Sequence, residues 1–234
     1  MRSLLFLAHG AEEQQLTRIP VIVRVIELLI DLSGTLELVY SDDHIIVVDK
    51  AHGEHSQPPA GPGPDASILT ACQRQFDKGV RLVHRLDRDA SGLLVLARSR
   101  RIAGVLGEAL RTHSVERVYR ARVAVLLPLD AKGTIRLPLK WAGGRAWVDD
   151  SGVEAVTHWK VESHASGTSE LEIQLETGRM HQVRVHLAAR LAPIVGDRKY
   201  GGPRADRLYL RAVRLSFMHP ATECVTRFSV TGFT

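Results

Sequence analysis

The sequence predicts an α+β fold: a mixed, mostly antiparallel central sheet with flanking helices and loops. Three observations lead there. Segments of strand composition dominate, turn-forming breaks set many of them at hairpin distance, and helical spacings are few. A chain of 234 residues fits one domain, or one domain plus an extension.

Residues 1–34 stand apart. Val21, Val25, Leu28 or Leu29, and Leu32 recur every three to four residues, which predicts an amphipathic helix ended by Ser33-Gly34. The segment carries no motif and reads as an N-terminal extension to a body over residues 35–234. In that body, TLELVYSDDHIIVVDK (35–50) predicts two strands around a Ser41-Asp42-Asp43 turn. Gly53, Gly61 and Gly63 with Pro58, Pro59, Pro62 and Pro64 make residues 51–67 an irregular loop. Ser67 to Phe76 predicts a short helix, Leu93 to Ala97 a buried strand, and Arg100 to Arg111 a helix with Ile102, Leu106, Ala109 and Leu110 inward. Val118 to Leu126 alternates, with Tyr119, Ala121, Val123 and Val125 on one face and Arg120 and Arg122 on the other. Hairpins are expected around Gly133 and Gly143-Gly144. Leu171, Ile173 and Leu175 alternate with Glu172, Gln174 and Glu176 as a half-buried strand, and Thr177-Gly178 then turns the chain. Val183, Leu187 and Leu191 mark a helix that ends before Pro193, and Leu208 to Phe217 and Cys224 to Val230 supply closing strands.

Composition narrows the function. Apolar residues at 44% and charged residues at 24% are ordinary for a globular chain and exclude wholesale disorder. Cys72 and Cys224 form no CxxC pair, so a disulfide framework and a structural zinc site are not expected, and a reducing cytoplasm is. The longest apolar stretch, Ile19 to Leu32, is broken by Arg24, Glu27 and Asp31, too early for the roughly 20 apolar residues of a membrane span. Aromatics at 5% do not offer a platform for stacking several bases. The net charge is +5, but its distribution says more. Residues 81–122 hold ten basic and four acidic side chains, and residues 176–214 hold nine and three. Arginine-rich clusters of this kind attract phosphate; the alternative is solvated faces with surface ion pairs.

Two clusters could carry chemistry. In VHRLDRDASGLLVLA (83–97), Asp87 and Asp89 lie among Arg85 and Arg88 in a short loop before a buried strand. Such a carboxylate either caps a turn and pairs with an arginine, or serves as a nucleophile or base kept ionised by nearby positive charge. In LETGRMHQVRVHLA (175–188), Arg179 sits in a strand-to-helix turn where an anion is favoured. His181 and His186, five residues apart, lie roughly 140° apart around a helix, so structural hydrogen bonding is expected of both rather than metal binding. His52 and His55 lack a third ligand at metal spacing. Phosphate-loop, dinucleotide-binding, HExxH and GxSxG patterns are all absent, so no metal and no nucleotide cofactor is expected.

These residues also resemble a known family. HRLDRDASGLLVLAR is similar to the HRLDxxTSGLLL signature of the RluA family of pseudouridine synthases, with Ala90 in place of the usual Thr. ETGRMHQVRVHLA, PIVGDRKYGG and RLSFMHPAT resemble three further motifs of that family, and Arg117 stands where its Lys-x-Tyr carries Lys. The resemblance covers about residues 35–234. Other departures are Ala51 in the family's Lys-Pro-x-Gly, Ala192 for a His before Pro193, and Arg211 for a His. The resemblance implies isomerisation of uridine to pseudouridine in structured rRNA or tRNA, without cofactor, metal or energy source. It implies Asp87 as the catalytic carboxylate, Arg179 beside it holding it ionised, and Tyr119 packed on the target base. His84, Arg85, Arg88 and Arg184 are then expected to contact RNA, with His84 or Arg85 as a wedge that replaces the extruded base. Residues 1–34, with three basic and four acidic side chains, add no basic module, so the catalytic domain is expected to bind RNA by itself, as a monomer. The alternative within the same fold is an RNA-binding protein or chaperone that has lost catalysis.

Overall fold

The computed structural model describes residues 36–59 and 66–233. The extension expected over residues 1–34 lies outside the described residues. Twelve strands and three helices are described: β1 (Leu38–Ser41), β2 (Ile45–Lys50), α1 (Ile68–Gln75), β3 (Arg81–Leu82), β4 (Ser91–Ala97), α2 (Arg100–Arg111), β5 (Glu116–Val123), β6 (Lys132–Arg136), β7 (Leu139–Ala142), β8 (Arg145–Val148), β9 (Val156–Ala165), β10 (Thr168–Leu175), α3 (Gln182–Arg190), β11 (Leu210–Met218) and β12 (Val225–Ser229). Ten strands make one sheet along the order β1-β2-β4-β11-β5-β10-β9-β6, with β12 beside β11 and β3 beside β4. The pairing of β11 with β4 is parallel and the other pairings are antiparallel, which bears out the mixed, mostly antiparallel sheet. β7 and β8 form a separate hairpin through Gly143-Gly144.

The apolar patterns follow from which faces are covered. IIVV in β2 and LLVLA in β4 are unbroken apolar runs because both faces are buried. Ile46, Val48, Leu94 and Leu96 join the core under α1 and α3, whereas Ile45, Val47, Leu93 and Val95 join Ile102 and Leu106 of α2 on the opposite side. Burying one such side chain contributes roughly 1.5–3 kcal/mol. β5 and β10 instead alternate. Tyr119, Ala121, Leu171 and Ile173 enter the first core, while Arg120, Arg122, Glu170 and Glu172 face the other way. There they form a ladder of ion pairs: Arg120 with Glu162 and Glu172, Arg122 with Glu170, Lys160 with Glu162 and Glu172, and Arg214 with Glu172. Part of the arginine excess is therefore matched by carboxylates away from the cleft described below.

Two expectations need correction. Gly133 is not a hairpin turn. It lies within β6, which pairs with β9, and its missing side chain makes room for the indole of Trp159. The strand expected to run to Leu126 ends at Val123, where the chain leaves the sheet.

Helix starts are set locally. Ser67 and Thr70 form a reciprocal cap at α1, and the Ser99 hydroxyl accepts the Ile102 N–H at α2. Gly92 permits the parallel contact at the centre of the sheet. Its φ is +109°, and a Cβ there would lie 2.2 Å from the Ala212 carbonyl oxygen. Gly92→Ala therefore meets both a left-handed backbone and a backbone clash. The variant is expected to lose about 2 kcal/mol or more of unfolding free energy in urea titration.

Candidate active site

A cleft of about 430 Å³ opens between the 83–90 loop, the β5 face carrying Arg117 and Tyr119, the end of α2, and the turn from β10 into α3. Asp87 lies in it on a tight turn, with the Ala90 N–H donating to the Asp87 carbonyl. Residues on both sides of Asp87 are clamped. The Ser56 hydroxyl donates to the Leu86 carbonyl and accepts the Leu86 N–H. On the other side the Arg88 carbonyl accepts from Lys50 Nζ (3.0 Å) and from the Gly53 N–H. Lys50 is fully buried and also donates to the carbonyls of Ala51 and Glu54. Burial pushes its ammonium down to about 8, against the pull of Glu54, Asp87, Asp89 and Asp49. Lys50 at the end of β2 and residues 53–56 of the loop read as irregular from its Gly and Pro content thus brace the Asp87 turn.

The guanidinium beside Asp87 belongs to Arg184, not to Arg179. Arg184 Nη1 donates to Asp87 Oδ2 at 3.0 Å. Its Nε and Nη2 form a bidentate pair with Asp197, both at 2.8 Å. Arg184 is 4% exposed and Asp197 1%. Burial opposes the charge on Arg184, but hydrogen bonds and charge from Asp197 and Asp87 outweigh it and raise its pKa. The physical reason is helical spacing: His181 caps α3 and Arg184 follows three residues later, so both project from one side toward Asp87. His181 Nε2 lies 3.7 Å from Asp87 Oδ1. Arg179 lines the cleft, but its Nε donates to the Glu154 carbonyl. The expectation that Arg184 meets RNA is corrected in the same step, because it is buried beneath Asp87.

The other expected residues divide similarly. Tyr119 is 8% exposed and lines the cleft. Burial raises its hydroxyl pKa, with Arg117 lowering it and Asp87 raising it further. His84 is not placed as a wedge. Its Nε2 accepts the Val95 N–H at 3.2 Å, extending the β3–β4 pairing through a side chain. Burial, with Arg117 nearby, pushes the imidazole down to about 3, so it is a neutral brace. Arg85 is exposed at the cleft, and exposed Arg88 donates from Nε to the Gly53 carbonyl. His186 is structural as expected, held by Thr157 and the Leu137 carbonyl, whereas His181 faces the cleft.

Three participants were not assigned roles from sequence. Asp197 anchors Arg184. Gln182, 3% exposed, binds Thr177, the Arg179 N–H, the Val156 carbonyl and Thr157, and so shapes the turn that presents His181 with a φ of +52°. Arg117 lies over Gly178, and its buried Nε has no hydrogen-bond partner among the described residues. The GDRKYGG segment supplied a signal for Asp197, since a buried acid needs a partner, but not which arginine.

Comparison with known proteins agrees with this architecture. The profile of the RNA pseudouridylate synthase family matches residues 44–189. Ribosomal large subunit pseudouridine synthase D of Xylella fastidiosa is 35% identical over 210 residues, covering 79% of this chain and 62% of that protein. The RNA pseudouridine synthase YjbO of Bacillus subtilis, itself uncharacterised, is 34% identical over 219 residues, covering 88% of this chain and 75% of that protein. The solved structure of human RNA pseudouridylate synthase domain containing 1 superposes with a TM-score of 0.70 at 25% identity, covering 84% of this chain and 83% of that one. The sheet and the cleft thus define a pseudouridine synthase catalytic fold. The chain belongs to the RNA pseudouridylate synthase family, and it spans 62% of the length of the Xylella relative.

Two outcomes separate the buried network from its surroundings. Arg184→Gln strands Asp197 and is expected to cost about 3–5 kcal/mol in chemical denaturation, whereas Arg179→Gln should stay within about 0.5 kcal/mol of wild type. The second concerns Lys50, whose folded pKa of about 8 lies below its ordinary value of 10.5. Between these values the unfolded chain binds more protons at this site, so its contribution to stability rises with pH. The difference in stability between wild type and Lys50→Met should move in favour of wild type from about pH 8 to about pH 10.5 and be flat below that window.

Proposed function

We propose that residues 35–234 form an RNA pseudouridine synthase domain that uses Asp87 as its catalytic carboxylate. The observation that carries this reading is the pairing of Asp87 with an arginine already committed to a second acid. Asp197 takes two of the Arg184 hydrogen bonds, so the group of three charges keeps a net negative charge. Asp87 Oδ1 accepts no hydrogen bond among the described residues and faces the cleft. Arg184 holds the carboxylate in place without neutralising it, which suits a group that must react or accept a proton.

The reaction breaks the bond from ribose C1′ to uracil N1, turns the base, and joins C1′ to C5. The proton on C5 leaves, and N1 gains one. The cleft volume lies in the range of sites that enclose a small ligand, enough for an extruded nucleoside. Tyr119 supplies a buried ring against which a base can lie. Arg117 and Arg85 put positive charge at the cleft, where the phosphates of an extruded nucleotide would pass. Free Cys72 and Cys224 support a reducing, cytoplasmic setting. The relatives named ribosomal large subunit pseudouridine synthase D make large-subunit rRNA the first substrate to test.

The test is tritium release from [5-³H]uridine-labelled RNA. Wild type is expected to release tritium from ribosomal RNA, and Asp87→Asn to fall by about a hundredfold or more. RNA binding with no release by wild type would replace this reading with the binding-only one.

A further inference from the structure

The site contains a hydrogen-bond chain that the reaction outlined above does not use. It starts in the β7–β8 hairpin. The Ala146 N–H donates to the Tyr200 hydroxyl oxygen at 2.9 Å. That oxygen lies 2.7 Å from His181 Nδ1, and His181 Nε2 faces Asp87 Oδ1 at 3.7 Å. The proton positions follow from the two ends. A carboxylate facing Nε2 favours a proton on that nitrogen and opposes a lone pair there. With Nε2 protonated, a neutral imidazole presents an acceptor at Nδ1. Tyr200 accepts from Ala146, so its own proton is free to satisfy that acceptor.

The Tyr200 ring touches the other partner of Asp87 as well. It packs edge-on to His181, with ring centroids 5.6 Å apart, and the Arg184 guanidinium lies 5.2 Å from its centre. One side chain therefore contacts both groups that face the carboxylate. The groups facing His181 are Asp87 from the 83–90 loop, Arg184 from its own helix, and Asp197, Lys199 and Tyr200 from the 194–201 segment. The Arg145 guanidinium, from β8, lies 5.4 Å from the centre of the Tyr200 ring.

We infer that Tyr200 is a positioning residue, which fixes His181 as the neutral Nε2–H tautomer aimed at the free oxygen of Asp87. The inference rests on Asp87 being the working carboxylate. A separation of 3.7 Å is longer than a hydrogen bond, so the ring acts on the carboxylate by charge and orientation across that gap. Removing the Tyr200 hydroxyl leaves Nδ1 open to a second proton. His181 then becomes an imidazolium beside Asp87 at a higher pH than in wild type, and the carboxylate is drawn into an ion pair. Burial lowers the His181 pKa first of all, with Asp87 pulling it back up, and this direction favours the neutral ring.

The experiment compares wild type, Tyr200→Phe and His181→Gln. Tyr200→Phe keeps the ring and its packing. At about pH 8 its kcat should fall by no more than about threefold, with KM for RNA unchanged, and at about pH 6 the deficit should reach about tenfold or more. His181→Gln, which retains an N–H donor but does not titrate, should lose the acid-side decline that Tyr200→Phe exaggerates. Imidazole ¹⁵N spectra of the whole protein read the tautomer without turnover. His181 should be Nε2–H in wild type and mixed or protonated in Tyr200→Phe. The positioning role of Tyr200 is overturned by identical pH profiles in wild type and Tyr200→Phe, by an equal loss at every pH with raised KM, or by an unchanged His181 tautomer. An inactive wild type overturns the enzyme reading instead, and the spectra still decide the positioning role.

Discussion

The buried pair of Arg184 and Asp197 is the constraint on which the site depends. Neither charge is stable in the interior alone, because desolvation of a lone ion costs several kcal/mol. Two parallel hydrogen bonds at 2.8 Å satisfy both, and Asp197 also accepts the N–H groups of Lys199 and Tyr200. The acid thereby shapes its own turn while it locks the arginine. With Arg184 immobile, one remaining nitrogen can meet only what lies in front of it, which is Asp87. The pair thus transmits its rigidity from α3 to a loop more than ninety residues earlier in sequence.

A second set of contacts holds that loop from behind. Lys50 and Gly53 bind the Arg88 carbonyl, and Ser56 binds both polar backbone atoms of Leu86. His84 adds a side-chain bond to β4. Asp87 itself makes no bond to these supports, so its side chain answers to α3 while its backbone answers to the β2 side. This division suits a reactive carboxylate. The backbone is over-determined, and the side chain retains one oxygen clear of hydrogen bonds. The buried ammonium costs stability at neutral pH, which is understandable only if three carbonyls must be held together at that spot.

Much of the fold was legible because period and burial agree. The two-faced runs of β2 and β4 and the alternation of β5 and β10 state their surroundings directly. β9 carries no clean period: along VTHWKVESHA neighbouring Val156 and Thr157 are both buried, burial alternates only from Val161 onward, and the register against β10 shifts between Glu170 and Leu171. Gly133 misled because glycine marks a turn in most contexts, and here it marks a close approach to Trp159. The placement of Asp87 and Tyr119 in the cleft was legible from motifs. The choice between Arg179 and Arg184 was not, because both follow the same strand and only the start of α3 decides which one points inward. A left-handed residue at His181, set by Gln182, makes that decision, and nothing in residue type at position 181 announces it.

The arginine excess looked like one property and is three. Arg120, Arg122 and Arg214 serve the charged face of the sheet, where glutamates match them. Arg184 and Arg211 are paired with buried or nearly buried aspartates, Arg211 with Asp49 and Arg184 with Asp197. Arg85 and Arg117, which line the cleft, have no carboxylate partner among the described residues. Strand alternation enforces the first division, since Arg117 and Tyr119 must point to one side of β5 if Arg120 and Arg122 point to the other. The same period therefore builds an ion-pair ladder and a cleft on opposite faces of one strand. The positive potential available to a polyanion comes from the arginines that line the cleft, Arg117 placed there by alternation in β5 and Arg85 by the 83–90 loop, not from the net charge of the chain.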